Sequence, residues 1–168
     1  MPALVLLPVL VFFAASSAPG QSVVESASVG TVVPGVGVVG TLSGGGIGDD
    51  GDAVLDDGSF FETWALHLET PSFITIDVLS EDFDPYIFLA LADDTIMAEN
   101  DDCVPNAFQH SCLHDVPAPI GTYYVGVNTF SPGETGDYAM IVQVVPLPEP
   151  GSTGLLALAG LLALRRRR

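Results

Sequence analysis

The chain has 168 residues and a formal net charge of −17, with 21 acidic residues, and its four Lys/Arg residues form a single run, Arg165 to Arg168. Nucleic-acid binding needs cations spread over a face to neutralise phosphates, so residues 1–164, without Lys or Arg, exclude it and equally disfavour anionic lipid surfaces. A hydrophobic content of 48% is too high for an acidic disordered chain, while 18 Gly and 13 Pro between short apolar runs predict one all-β domain too small for a multidomain enzyme.

Leu4 to Ala15 form an apolar run of signal-peptide length, followed by the small residues Ser16, Ser17, Ala18 and Gly20. The run is short for a bilayer span, so residues 1–20 are expected as a signal peptide, cut between Ala18 and Ser22, on an exported chain. No Cys follows that would carry a lipid anchor. Residues 21–35, rich in Val, Gly and Ser, are expected as a flexible lead-in, with a first strand around Val36 to Leu42.

From Phe60 onward the alternation is clear. Trp64, Leu66 and Leu68 share one face, and so do Ile74, Ile76 and Val78, with Thr75 and Asp77 opposite and Glu69 to Ser72 as the turn between. Tyr86 to Leu91 is apolar on both faces and reads as a central strand. Thr122 to Asn128 and Tyr138 to Val145 are two further strands around the Ser131-Pro132-Gly133 turn. Short strands separated by turns predict an all-β, antiparallel, jelly-roll-like β-sandwich over residues 36–145, with an apolar helix at each terminus. Trp64, Phe73, Tyr86 and Phe88 are then packing residues rather than a platform for carbohydrate stacking.

Six blocks in this region, taken in order, resemble the bacterial pre-peptidase C-terminal domain. They are Asp57-Gly58-Ser59-Phe60-Phe61, Ile74-Thr75-Ile76-Asp77, Asp82-Phe83-Asp84-Pro85-Tyr86, Ala98-Glu99-Asn100-Asp101-Asp102, Gly121-Thr122-Tyr123-Tyr124-Val125 and Ser131 to Tyr138. The resemblance implies a non-catalytic β-sandwich, usually appended to secreted peptidases, whose collagenase members bind matrix and calcium. No peptidase is attached here, and the cysteine-bearing segment departs from the family's usual loop.

The acids fall in clusters without basic partners: Asp49, Asp50, Asp52, Asp56 and Asp57; Glu81, Asp82 and Asp84; Asp93, Asp94, Glu99, Asp101 and Asp102. Self-repulsion of this kind is relieved by a hard divalent cation, and calcium accepts six to eight oxygen ligands. No EF-hand frame fits, so a calcium site has to be assembled from separate loops, with Asp82, Asp84, Glu99, Asp101 and Asp102 as its expected ligands. The alternative is a solvated acidic surface. Cys103 and Cys112 are the only cysteines. In an exported chain they are expected as a disulfide; the other reading takes Cys103, His110, Cys112 and His114 as four zinc ligands, at a spacing that matches no standard zinc pattern. There is no nucleophile elbow, no His-Glu-x-x-His and no Lys for Schiff-base chemistry, and His67 lies on the polar face of its strand, so no enzymatic activity is expected.

The C-terminus reads Pro146-Leu147-Pro148-Glu149-Pro150-Gly151, then an apolar stretch from Leu155 to Leu164, then Arg165, Arg166, Arg167 and Arg168. An apolar helix here is shorter than a bilayer core, which suits transient membrane insertion, and the arginines hold to the cytoplasmic side. Pro148, Glu149 and Pro150, the Leu/Ala/Gly helix and the terminal arginines together resemble a PEP-CTERM sorting signal over residues 146–168. That resemblance implies an exosortase as processing partner and a destination in the cell envelope or exopolysaccharide matrix; the alternative is a plain tail anchor. The function expected from the whole chain is a secreted, non-enzymatic binding or adhesion module for exopolysaccharide or a matrix protein. An accessory or inhibitory module for a separately encoded secreted protease is the alternative.

Overall fold

A computed structural model describes residues 22–43, 52–103 and 109–148. They form helix α1 (Val23–Ser26) and strands β1 (Ser28–Thr31), β2 (Val38–Leu42), β3 (Ala53–Val54), β4 (Phe60–Leu68), β5 (Ser72–Leu79), β6 (Pro85–Leu91), β7 (Ile96–Asn100), β8 (His110–Ala118), β9 (Gly121–Thr129) and β10 (Gly136–Pro146). One sheet has the order β1-β4-β9-β6-β7, with β3 added to β4, and the other has the order β2-β10-β5-β8. Every pairing is antiparallel except that of β1 with β4, which is parallel. From β4 onward only the β6–β7 hairpin joins strands of one sheet; each other connection crosses to the opposite sheet. That interleaving makes a two-layer sandwich whose strand order is that of a double-sheet jelly roll. Signal peptide, terminal apolar helices, Glu149, Pro150 and the arginine run lie outside the described residues.

The core follows from the period-two pattern. Leu66, Leu68, Ile74, Ile76, Val78, Ile87, Leu89, Val125, Val127, Met140 and Val142 all point into the space between the sheets and are buried there. Fully burying side chains of this size stabilises by about 1.5–3 kcal/mol each before chain entropy is counted. β6 is apolar on both faces because both are covered. Its Ile87 and Leu89 enter the sandwich, while Phe88 and Ala90 enter a second cluster with Val24, Ala27, Ala53, Phe61 and Tyr124 on the outer face of the six-stranded sheet.

That second cluster corrects the expectation of a flexible lead-in. Residues 22–32 are a packed strap in which Val24 and Ala27 are buried, and Thr63 N–H donates to the Ala27 carbonyl at 2.9 Å. The Asp94 carboxylate accepts from Val23 N–H at 3.1 Å and Val24 N–H at 2.9 Å, satisfying donors that a four-residue helix cannot satisfy internally. The helix is too short to show a 3.6-residue period, and its Ser/Val/Gly surroundings have the composition of a linker. β7 and β8 were also not foreseen. β7 is half-exposed, and β8 carries Cys, two His, Asp and Pro, with an extra residue bulged out opposite Ile74–Ile76.

Candidate metal centre

At one end of the six-stranded sheet three loops meet: the approach to β6, the turn after β7 and the β9–β10 connection. Phe130 N–H donates to the Asp84 carbonyl at 2.8 Å, which ties the β9 exit to the β6 entry, and Tyr86 pairs with Asn128 in the adjoining register. Asp84 and Asn128 therefore lie on the same face of neighbouring strands. Asp101, Asp102 and Glu134 stand near enough to Asp84 that their charges, added to its desolvation, push its carboxyl up to about 6. Asp84 Oδ1, Asp102 Oδ1, Asn128 Oδ1 and Glu134 Oε2 are each buried without a hydrogen-bond partner, and Asn128 as a residue is only 3% exposed. All four are acceptors. Oxygens buried without a donor keep their desolvation cost, which a hard cation accepting oxygen ligands would offset.

Of the five acids expected to bind calcium, Asp84 and Asp102 are in this cluster and Asp101 flanks it, exposed, with its Oδ1 accepting from Asp102 N–H at 2.9 Å. Asp82 turns away, its Oδ2 accepting from Asp137 N–H at 2.9 Å where β10 begins. Glu99 is exposed on β7 and hydrogen-bonds Tyr86. Asn128 and Glu134 were missed: Asn128 sits inside a strand and carries no charge, and Glu134 lies about 50 residues from Asp84 in a turn that reads only as Ser-Pro-Gly. The donors fit calcium in kind. The carboxylates are more widely set than a closed coordination shell, so water and backbone carbonyls would complete it.

Cys103 and Cys112 form a disulfide, with an S–S distance of 2.12 Å and Cα atoms 4.9 Å apart. It joins the turn after β7 to β8, and the link is reinforced where Asn100 Nδ2 donates to the Asp102 and Cys112 carbonyls at 2.9 and 2.8 Å. In the chain-entropy picture a closed loop of this size adds about 2.7 kcal/mol. Reducing the disulfide is therefore expected to lower the unfolding free energy obtained from urea titration by about that amount, with a Cys103→Ala/Cys112→Ala variant matching the reduced protein.

With this geometry in hand, comparison with known proteins gives a structural likeness. The chain is similar to the solved pre-peptidase C-terminal domain of a collagenase from Bacillus anthracis. Identity is 18%, the match covers 69% of this chain and 92% of that domain, and the TM-score is 0.43. No family model and no curated protein matches the chain.

A second group of polar residues lies inside the sandwich. Glu62 is 4% exposed and faces the core from β4; Tyr138 donates its hydroxyl proton to Glu62 Oε1, and Trp64 Nε1–H donates to the Tyr138 oxygen at 2.6 Å. Asp52, fully buried, accepts from Ser43 N–H and hydrogen-bonds Glu62. Burial, opposed by the Tyr138 hydrogen bond and helped by the Asp52 charge, pushes the Glu62 carboxyl up to about 7. Above this network the outer face of the four-stranded sheet carries an open groove of about 750 Å³, with Val39, Ala139 and Leu79 as floor and Thr41, Glu81, Asp82 and Asp137 at one side. His67, exposed on β4, bonds Thr122 Oγ1 at 3.0 Å through Nδ1.

Proposed function

We propose that the chain is an exported, non-catalytic binding module of the pre-peptidase C-terminal type, closed by calcium and carried by its C-terminal sorting signal to the cell envelope or exopolysaccharide matrix. The observation that carries the reading is the set of buried, unpartnered acceptor oxygens on Asp84, Asp102, Asn128 and Glu134. A bound calcium ion would cross-link the entry to β6, the turn after β7 and the β9–β10 connection, fixing the loop end of the sandwich outside the cell. The disulfide, the acidic surface and the Pro148-Glu149-Pro150 tail support the same location. The groove on the four-stranded sheet, apolar below and rich in hydroxyl and carboxylate acceptors at its rim, is the proposed contact face for a hydroxyl-rich polymer.

Calcium binding to the folded state alone adds about 2.7 kcal/mol at 100 times the dissociation constant. At constant ionic strength, calcium is expected to raise the melting temperature by several degrees, and magnesium by less, because magnesium demands tight octahedral geometry. Asp84→Asn and Glu134→Gln should each remove most of that shift, whereas Asp56→Asn, an exposed acid in another turn, should leave it intact. Protonation of Asp84 competes with the ion, so the calcium effect should shrink as pH falls through about 6. Equal shifts with both metals would refute the site. Retention on native polysaccharide supports the matrix role, and co-purification of a stoichiometric protease would replace it with the accessory role.

A further inference from the structure

On the outer face of the four-stranded sheet, the disulfide sits among side chains that have no role in the calcium site. Asp77 on β5 pairs directly with Cys112 on β8, so both side chains emerge on one face. Beyond Leu113, which turns into the core, β8 bulges. It runs from Leu113 to Val116 while β5 runs only from Ile76 to Ile74, and the extra residue is taken up at His114 and Asp115. Asp115 has φ 52°, and its N–H donates to Thr75 Oγ1 at 3.2 Å. Bulges re-aim side chains. Here the bulge leaves His114 out of the ladder and brings its Nε2 to 3.7 Å from Asp77 Oδ1, while His110 Nε2 approaches the same oxygen at 3.1 Å. One ligand atom each from Asp77, Cys103, Cys112 and His114 lies within 4.8 Å of the others; among the described residues this is the set of His, Cys, Asp and Glu atoms gathered so closely.

While the sulfurs are bonded to each other they are poor ligands. We propose that two-electron reduction of Cys103–Cys112 converts this corner into a tetrahedral zinc site held by Cys103 Sγ, Cys112 Sγ, His114 and Asp77. The S–S bond takes two electrons and two protons from a dithiol, which is itself oxidised to a disulfide. Zinc then displaces the two thiol protons and bonds both sulfurs. Two thiolates, one imidazole and one carboxylate make a donor set that zinc accepts, and the softer sulfurs favour it over calcium or magnesium. His110, hydrogen-bonded to Asp77, is a positioning residue that orients the carboxylate. The disulfide and the metal are then alternative clasps between the turn after β7 and strand β8, chosen by the redox state of the surroundings.

The test uses the full chain, zinc alone as the ligand and a phosphine reductant that leaves no competing thiol. Equilibrium dialysis should show one zinc per reduced chain, bound about 100-fold or more tightly than by the oxidised chain, and release of two protons on binding. Cobalt in place of zinc should give thiolate-to-metal charge-transfer bands and the visible spectrum of a tetrahedral ion. Asp77→Asn, near-isosteric at a half-buried position, and His114→Ala, at an exposed one, should keep the fold and weaken zinc binding; His110→Gln should weaken it by about 10–100-fold while leaving the cobalt spectrum tetrahedral. Near-ultraviolet circular dichroism reports whether the reduced chain is folded when it binds. The proposal is overturned if the reduced chain takes up no zinc, if the oxidised chain binds equally well, or if Asp77→Asn and His114→Ala bind as tightly as the wild type. Zinc bound only by an unfolded chain overturns it too.

Discussion

Raising the pH from about 4.5 to 8 is expected to lower the stability of the calcium-free domain by roughly 3 kcal/mol through Glu62 alone. Glu62 lies between the two sheets at 4% exposure, with Asp52 as a second buried acid beside it, so its ionised form loses solvation and gains a like-charged neighbour. Its carboxyl ionises near 4.5 in the unfolded chain and near 7 in the folded one. Between those values the unfolded state has given up a proton that the folded state keeps, and stability falls as pH rises. Below about 4.5 the penalty is absent. Above about 7 both states are ionised, the slope ends and the full penalty stays. Asp84 adds a smaller slope of the same sign that calcium should suppress, so urea unfolding at pH 5 and pH 8 belongs in calcium, where the Glu62 component stands alone. Glu62→Gln keeps an acceptor for the Tyr138 hydroxyl and offers an amide donor to Asp52, and it should flatten the profile. A wild-type slope that survives in Glu62→Gln would show that Glu62 is not the titrating group.

Neither acid of that pair stands out in the sequence. Glu62 falls in the alternation Phe60, Glu62, Trp64, Leu66 on the inward face, where the pattern predicts an apolar residue, and Asp52 belongs to a run of acids that reads as solvated surface. Glu62 is an exception to the alternation of its strand, and its partner Tyr138 comes from β10 of the opposite sheet, a contact across the sandwich that no local pattern encodes. Strands with one buried face were legible: Leu66 and Leu68, and Ile74, Ile76 and Val78, fall where period two places them. β6 was legible as a central strand because both of its faces are apolar. What covers its second face was not, since α1 and β3 together are shorter than any periodicity window. The candidate metal centre was legible to the extent that charge reveals it. Asp84 and Asp102 could be found by clustering, whereas Asn128 enters through the register of β9 on β6 and Glu134 through the packing of the β9–β10 connection.

The second large effect is expected at Phe88. Phe88→Ala should cost roughly 3–5 kcal/mol, the usual range for emptying a buried aromatic site. Phe88 is fully buried on the outer face of the six-stranded sheet, and its ring stands 6.1 Å from that of Phe61 at a 58° tilt. The ring lies on Gly126 of β9, its register partner, where a Cβ would overlap the ring itself. A glycine in the middle of a strand weakens it; here it is the socket that lets the ring lie flat on the sheet. Gly126→Ala alone should therefore destabilise by roughly 1–3 kcal/mol through overpacking. In the Phe88→Ala background the same methyl enters the vacated space and should be neutral or stabilising, so the double-mutant cycle should show strong coupling. The strap formed by α1 and β1 rests on this cluster through Val24 and Ala27. Phe88→Ala should loosen it ahead of the rest of the sandwich, exposing residues 22–32 to protease while β5 and β10 stay protected. Urea unfolding of the two single variants and the double variant, with limited proteolysis of each, measures both effects. Additive losses would mean that the Phe88 ring does not depend on the Gly126 socket, and cleavage of the strap no faster than in the wild type would mean that Phe88 does not anchor it.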